Sequence, residues 1–491
     1  IPLVRPSSAL VRTVCSAISA GTERTKVETG KMSLIQKARS RPDLVKKVFQ
    51  KLGRDGLLNT VQMVQQKLND PVPLGYSCVG IVEEMGEWVE GVRPGDRVAC
   101  AGAGYANHSE FNVVPGRLMV KVPEGVASEQ AAFATIAAIG LQGVRQAEPR
   151  LGDKVVVLGL GLIGQITCQL LKAGGAEVFG IDLDPWKLDV AKNSGAASAV
   201  GLGSDPGLLE AVLRWSRGRG ADAVIIAAST PSDGPMEQAG LLCRDKGRVV
   251  IVGAVGTKFP REPYYMKELD IRIARSYGPG RYDVLYEELG LDYPVGYVRY
   301  TEQRNIEAVL DLLAAKRIDF MPLITHRFGF TEAGKAFAML SGKSGVAPAN
   351  YLGIVLNYTN AVEQGRTATT IGTSGRSLGS NGKSSALGLG FVGFGNYANA
   401  QLIPAIKKFG GASLEAVATN SGMSAQTKGE RAGFSRVAAS PGKVFEDPRV
   451  GTVFVVTRHD SHSSLILEAL AAGKNVFVEK PLCLHERELS E

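Results

Sequence analysis

The sequence predicts an α/β protein in which a β-rich domain is joined to a doubly wound parallel sheet and then to a second, incomplete sheet of the same kind. Three observations predict it. From Leu151 onward the chain alternates strand-like and helix-like segments, the rhythm of a parallel sheet covered by helices. Two strand-to-helix junctions are glycine-rich: Val155 to Leu158 runs into Gly159, Gly161 and Gly164, and Leu389 to Val392 runs into Gly393, Gly395 and Ala398. Residues before about 135 instead show short alternating apolar runs separated by turn signals. A chain of 491 residues has room for about three domains.

In the β-rich part, Val79 to Glu83, Arg97 to Cys100 and Glu110 to Val114 read as strands, with a turn at Pro94, Gly95 and Asp96. The segment 31–70 interrupts them. Its apolar residues, among them Leu34, Val45, Val48 and Leu52, recur at three- and four-residue steps, the pattern of amphipathic helices. It also holds nine Lys/Arg against three acids, most of the chain's net charge of +8. Such a basic face is either solvated or an electrostatic funnel for an acidic or phosphorylated sugar. Only one aromatic residue, Phe49, stands among the charges, which argues against nucleic acid.

Strands at Lys154 to Leu158, Glu177 to Ile181, Ala223 to Ala227 and Arg248 to Val252 then alternate with helices at Leu162 to Ala173 and from Trp186. Ile324 to Phe328 and Leu352 to Leu356 return to the first domain. The expected organisation is therefore 1–135 with 298–356 as one domain, carrying the insertion 31–70, and 136–297 as the domain between them. Residues 357–385, dominated by Ser, Thr, Gly, Asn and Arg, read as a flexible linker. Residues 386–491 form a second βαβ series that breaks off early. The chain opens at Ile1 and stops at Glu491 inside a charged helical pattern, so a piece of something longer is expected.

Hydrophobic residues at 44% and charged residues at 21% are ordinary for a globular protein. No run of about 18 apolar residues and no cleavable signal pattern is present, so neither a membrane span nor a secretory route is expected. The six cysteines are scattered without a CxxC pair, which favours reduced thiols in a cytoplasmic protein.

The glycine turns carry the chemistry. In a GxGxx(G/A) turn the first glycine allows the tight reversal, the second lets a pyrophosphate approach the backbone, and the third small residue lets helix pack on strand. The helix N-terminus then faces the phosphates. Asp182, about 20 residues beyond the first turn, closes the next strand; its carboxylate would accept hydrogen bonds from the adenosine ribose and repel a 2′-phosphate, favouring NAD over NADP. A helix N-cap is the alternative role, since Asp184 and Pro185 follow. The loop Ser276 to Tyr282 gathers aromatic hydroxyls and a guanidinium, suited either to lining a sugar-sized pocket or to packing against another copy.

With these residues in view, 1–356 resembles the medium-chain dehydrogenase/reductase family, on the Gly75 to Val82 segment, the Pro94 to Arg97 turn, the Gly159 to Gly164 fingerprint, and Asp182 with Lys187 five residues later. The resemblance implies a GroES-like β domain clasping a Rossmann domain, with Lys187 also at the adenosine ribose. The zinc members carry a cysteine in a Cys-Gly-Thr-Asp run, where this chain has Ala20, Gly21, Thr22 and Glu23. Where they carry Gly-His-Glu, it has Gly75, Tyr76 and Ser77. Neither Ala20 nor Tyr76 replaces those ligands, and the four-cysteine structural lobe is absent, so no zinc is expected. Without a Lewis acid the reacting oxygen needs a side-chain partner. Tyr76 is the first candidate and His108 the second; a packed tyrosine and a structural histidine are the alternatives.

Residues 386–491 resemble the N-terminal domain of the Gfo/Idh/MocA family, on Gly393, Gly395 and Ala398, the His459 to His462 loop, and Glu479, Lys480 and Pro481. The resemblance implies that Glu479 and Lys480 lie at the nicotinamide, Lys480 stabilising charge at the reacting oxygen, and that His462 lies near the cofactor. No acid marks the ribose position at Thr419, Asn420 and Ser421, so NAD or NADP are both open for this half. The substrate domain that follows in the family is missing.

The order of the two parts resembles bacterial two-domain oxidoreductases. It implies an NAD(P)-dependent, zinc-independent enzyme transferring a hydride at a sugar or sugar-nucleotide carbon, of the polysaccharide-biosynthesis type, expected as a homo-oligomer without nucleic-acid or membrane partners. A nucleotide-binding regulatory module, and a zinc-free quinone or enoyl reductase, are the competing readings.

Overall fold

The computed structural model describes residues 4–31, 72–340, 350–358, 387–419 and 422–491. The basic segment expected as helices at 31–70 lies outside these residues except for its first position, and so does nearly all of the linker expected at 357–385. The chain divides into two compact units, one comprising the described residues 4–31 and 73–358 and the other including those from 387 onward.

The first unit begins with β1 Ser8–Ile18, β2 Ser77–Met85, β3 Arg97–Ala101, β4 Phe111–Pro115 and β5 Met119–Lys121. It then enters β6 Lys154–Leu158, β7 Glu177–Asp182, β8 Ala199–Leu202, β9 Ala221–Ile226, β10 Cys243–Ile251 and β11 Asp270–Ile273, and returns for β12 Ile324–Gly329 and β13 Gly353–Asn357. Strands β1–β5 join β12 and β13 in one seven-stranded sheet, ordered β12-β13-β1-β2-β3-β5 with β4 paired to β1. The long β1 is shared. Its C-terminal half pairs antiparallel with β13 and its N-terminal half with β4, while β2 runs along the other edge.

Strands β6–β11 form a separate six-stranded sheet in the order β11-β10-β9-β6-β7-β8, every pairing parallel. The order reverses between β6 and β9, which creates the crevice at the carboxyl ends of the strands where open α/β sheets bind ligands. Its central strands read as unbroken apolar runs because both faces are covered: Val155, Val156 and Val157 of β6 and Val224, Ile225 and Ile226 of β9 are fully buried. The helix Ala134–Ala147 ties the two sheets together. Immediately before it, the Ala132 carbonyl accepts from Ser77 Oγ at 2.6 Å, and Thr135 Oγ1 of its first turn donates to the Cys100 carbonyl at 3.2 Å.

The second unit contains β14 Leu387–Val392, β15 Ala412–Ala418, β16 Arg436–Val437, β17 Thr452–Val455 and β18 Asn475–Val478, ordered β16-β15-β14-β17-β18 and wholly parallel. Phe391 at its centre stacks on Phe454 and meets Phe394 and Phe434 edge-on. Among the described residues no helix is long and apolar enough to cross a membrane. All six cysteines are free thiols.

Candidate active site

Each glycine of the first turn has a distinct physical reason. Gly159 adopts φ +92°, and a Cβ there would lie 2.6 Å from the Ala228 amide nitrogen. At Gly164 a Cβ would come within 1.9 Å of the Gly159 carbonyl, so the helix Leu162–Ala173 sits against the turn as only glycine allows. Gly161 is the opposite case: a Cβ would meet nothing within 4 Å, leaving open space above the backbone at the helix N-terminus. The second turn repeats the arrangement with Gly393 at φ +87°, open space at Gly395 and a buried Ala398. Both cradles therefore fit a pyrophosphate.

Asp182 is not an N-cap. Asp184 caps the helix Pro185–Asn193, accepting from Trp186 N at 3.1 Å, while Asp182 accepts from Leu160 N through Oδ2 at 2.6 Å and from Asp184 N through Oδ1 at 3.0 Å. Lys187 Nζ lies 3.7 Å from Asp182 and 3.6 Å from Asp184, so the acid and the lysine expected at the ribose converge on one spot. Gln165, which sequence reasoning missed, ties this spot to the glycine turn by donating to the Leu160 and Lys187 carbonyls.

Tyr76 stands immediately before β2, with its carbonyl accepting from Gly102 N. Its ring is buried and its hydroxyl lies near the Ser19 and Thr22 side chains, at the start of the helix Ala20–Lys31. Burial, with Glu23 nearby, pushes the phenol up to about 12, so it holds its proton at neutral pH. His108 is brought into the same neighbourhood, with Nε2 2.8 Å from Glu23 Oε2. Glu23 stands in the sequence at the acidic position of the Ala20 to Glu23 run, in the first turn of the helix, but nothing there announces its partner. Among the described residues no group of three or more His, Cys, Asp or Glu side chains is placed to hold a metal ion.

In the second unit Lys480 is exposed just after β18, and Glu479 lies near the Tyr397 hydroxyl beside the glycine turn, whose proton its charge helps to hold. His462 packs beneath the Lys480–Pro481 segment. Its ring is fully buried, with Nδ1 2.7 Å from the Pro481 carbonyl and Nε2 3.4 Å from the Thr457 carbonyl. Both nitrogens face the backbone and neither faces solvent.

Family models match along the chain: one described as an alcohol dehydrogenase GroES-like domain at 52–139, one as a zinc-binding dehydrogenase at 163–289, and one as an oxidoreductase family with an NAD-binding Rossmann fold at 387–491. The chain is an NAD(P)-dependent oxidoreductase. It joins domains of the medium-chain, alcohol dehydrogenase-like type to one of the Gfo/Idh/MocA type. Sorbitol dehydrogenase of Arabidopsis thaliana is 26% identical to this oxidoreductase over 306 residues, 56% of the chain and 77% of the relative. 2-Dehydro-3-deoxy-L-galactonate 5-dehydrogenase of Pseudoalteromonas atlantica is 25% identical over 309 residues, 57% and 82% respectively. Among solved structures, galactitol-1-phosphate dehydrogenase from Escherichia coli shares the fold at a TM-score of 0.53 and 18% identity, covering 73% of this chain and 94% of that one.

Proposed function

We propose that this oxidoreductase interconverts a hydroxyl and a carbonyl on a sugar or sugar-nucleotide, without zinc, and that the Tyr76 hydroxyl serves the reacting oxygen. The observation that carries the reading is the setting of Tyr76. It occupies the place of a metal-binding histidine in the zinc members, and it presents a buried phenol close to the Ser19 and Thr22 side chains. The substrate class is supported by the relatives, whose names are those of polyol and sugar-acid dehydrogenases.

Zinc is bound through thiolate, imidazole or carboxylate donors. Ala20 and Tyr76 supply none of these, and the nearest donors, Glu23 and His108, are spent on each other. The residues present do not fit a catalytic zinc. They do fit a nicotinamide dinucleotide, which when bound supplies or accepts the hydride. Gly159, Gly161 and Gly164 would receive its pyrophosphate, and Asp182 with Lys187 its adenosine ribose, favouring NAD. In this assignment 136–297 is the cofactor domain, and 1–135 with 298–356 is the domain that brings Tyr76 to it.

Tyr76 then has one task in each direction: to donate its proton to an oxygen gaining charge, or to take one from an oxygen losing it. In the second unit, 386–491, Gly393, Gly395 and Ala398 would hold a further NAD or NADP. Lys480 would place a positive charge at the reacting oxygen, flanked by Glu479. His462 is assigned a positioning role, bracing the Lys480–Pro481 segment from beneath.

The test is turnover by the chain dialysed against a chelator, with NADH or NADPH and a panel of ketoses and keto-sugar nucleotides. Sustained NADH oxidation at negligible bound metal, reduced about 100-fold by Tyr76→Phe, is the expected result. Activity that returns only on adding zinc would overturn the reading, as would no turnover across the panel.

A further inference from the structure

We propose that the loop from Arg275 to Tyr282 is the phosphate-binding part of the substrate site, holding a phosphate ester of the sugar through the guanidiniums of Arg275 and Arg281. This rests on the reading of the chain as a sugar oxidoreductase and names the form in which the sugar is bound.

The loop starts from the edge of the sheet that carries the glycine turn. Leu158 of β6, Ile226 of β9, Ile251 of β10 and Ile273 of β11 are in register, so the four strands end in one row and Ala274 leaves it as Gly159 does. Asp182, assigned to the adenosine ribose, closes β7 on the other side of β6. A dinucleotide with its pyrophosphate at Gly161 and its adenosine toward β7 therefore runs its nicotinamide toward β9, β10 and β11. Three strand spacings of about 4.8 Å put the end of β11 about 14 Å from the glycine turn, on the nicotinamide side. The chain beyond the loop leads to Tyr76 as well. Glu288, six residues past Tyr282, accepts from the Ser7 hydroxyl through its carbonyl and from the Tyr105 hydroxyl through its carboxylate at 3.3 Å. Tyr105 N donates to the Gly102 carbonyl and Gly102 N to the Tyr76 carbonyl, both at 3.0 Å.

The loop presents an alternating series of rings and guanidiniums. Arg281 lies over the Tyr277 ring at 5.2 Å and over the Tyr282 ring at 4.1 Å, and Arg275 lies over Tyr282 at 4.9 Å. Tyr277 is buried, Tyr282 is 60% exposed and Arg275 is exposed, so the series runs from the core to the surface. A guanidinium held over a ring keeps its in-plane N–H groups for a bidentate acceptor such as a phosphate. Among the described residues no carboxylate pairs with Arg275 and no hydrogen bond engages its donors. The Arg281 side chain is 9% exposed; it gives one N–H to Glu287, while its buried Nε has no partner. The neighbouring acids are already engaged. Glu287 balances Arg281, and Asp283 accepts from the Leu285 amide and the Tyr293 hydroxyl. Glu302 is kept neutral by burial, with Glu287 beside it. The charge of Arg275 stays uncompensated.

This arrangement is held against the preference of the backbone. Ser276 at φ +50° and Tyr282 at φ +69° are left-handed, a conformation that costs any residue other than glycine. Separate elements enforce it. Asn305 Nδ2 donates to the Tyr277 carbonyl at 2.9 Å, Glu302 N to the Pro279 carbonyl at 2.8 Å, and Tyr282 N to Glu287 at 3.1 Å. A turn that served only to pack the loop would end in a buried side chain; this one ends in an exposed ring with two cations upon it. Fixing the forks beforehand lowers the cost of ordering them around a ligand.

The test is calorimetric titration of the chain saturated with NADH, which keeps the glycine turns occupied, with glucose, glucose 6-phosphate and UDP-glucose. At least one phosphate ester should bind where glucose at the same concentration does not, with an affinity that falls as salt rises. Arg275→Gln should weaken that binding about tenfold, the size of one lost charge-assisted hydrogen bond. Arg275→Lys, which keeps the charge without the fork, should fall between. NADH affinity and melting temperature should stay those of the parent. Binding of glucose 6-phosphate alone identifies a phosphomonoester; binding of UDP-glucose, alone or with it, identifies a nucleotide diphosphate. The proposal is overturned if neither ester binds, or if Arg275→Gln binds them as the parent does. A variant that changes only the oligomeric state would likewise overturn it and return the loop to packing between copies. Tyr76→Phe keeps the two readings apart, since it should bind the ester as the parent does while losing turnover. If it turns over normally while Arg275→Gln loses the ester, the tyrosine reading falls and the phosphate site stands.

Discussion

Asp182 Oδ2 accepts the Leu160 amide at 2.6 Å, fastening the carboxylate that closes β7 to the glycine turn that follows β6. The acid is therefore held rigidly in place, and its other oxygen faces Lys187 at 3.7 Å. A 2′-phosphate at this spot would meet a fixed negative charge, whereas ribose hydroxyls would meet an acceptor.

Replacing Asp182 by Asn keeps the bond from the Leu160 amide but removes the charge. NADH affinity should fall by about tenfold, the size of one lost charge-assisted hydrogen bond. NADPH affinity should hold or rise. Calorimetric titration with both cofactors checks this, and an unchanged preference would remove Asp182 from the ribose site.

Gly161 and Gly164 should part company on substitution. Gly161 has φ −64° and open space around it, so Gly161→Val strains nothing, and the melting temperature should stay within about 2 °C of the parent. Its side chain would project into the space proposed for the pyrophosphate, and cofactor binding should be lost. Gly164→Val should instead destabilise the fold by more than about 3 kcal/mol, because its Cβ would overlap the Gly159 carbonyl. Thermal melts paired with NADH fluorescence titration distinguish the two.

His462 is expected to behave as a brace. His462→Ala leaves the Pro481 carbonyl without the ring nitrogen now 2.7 Å away and opens a buried gap, costing the second unit about 1–3 kcal/mol. Lys480→Ala, at an exposed position, should leave the melt unchanged while weakening any reaction at that site. Equal effects of the two substitutions on the melt would contradict this division of roles.

These residues differ in how legible they were. The glycine turns and Asp182 could be read because their chemistry is local: a turn, a strand end and a spacing. The helix Leu162–Ala173 and the strand Lys154–Leu158 came out with the bounds the pattern gave. By contrast β1, the longest strand among the described residues, is not legible in the sequence. It is covered on both faces, so the alternation that marks a half-buried strand is lost in Ser8–Ile18. Short strands such as β8, β11 and β16 passed unnoticed for want of length. His462 carried a motif position but not its burial, which comes from a carbonyl 19 residues away. Glu23 and His108 are each marked in the sequence, but their pairing joins residues 85 apart in the chain and nothing local announces it.

The loop from Ser276 to Tyr282 offers a last expectation, since it meets two buried acids. Arg281 pairs with Glu287 at 2.5 Å and stacks over Tyr282. Glu302, fully buried in the first turn of the helix Glu302–Ala314, has no donor within hydrogen-bonding geometry for either oxygen, and the Tyr277 hydroxyl in the same cluster is also unpaired. Burial, with Glu287 beside it, raises the Glu302 carboxyl to about 9. In the unfolded chain it ionises near the ordinary value of about 4.3. Between these values the folded protein holds a proton that the unfolded chain has released, so this group's contribution is full below about pH 4 and is lost progressively as pH rises toward 9. Glu302→Gln mimics the neutral form at every pH. The variant should match the parent's melting temperature near pH 4.5 and exceed it by several degrees at pH 8, flattening the decline between them. Parallel melts of the two proteins across that range check it, and a variant that melts below its parent at pH 8 would mean that Glu302 is ionised and paired in the folded state.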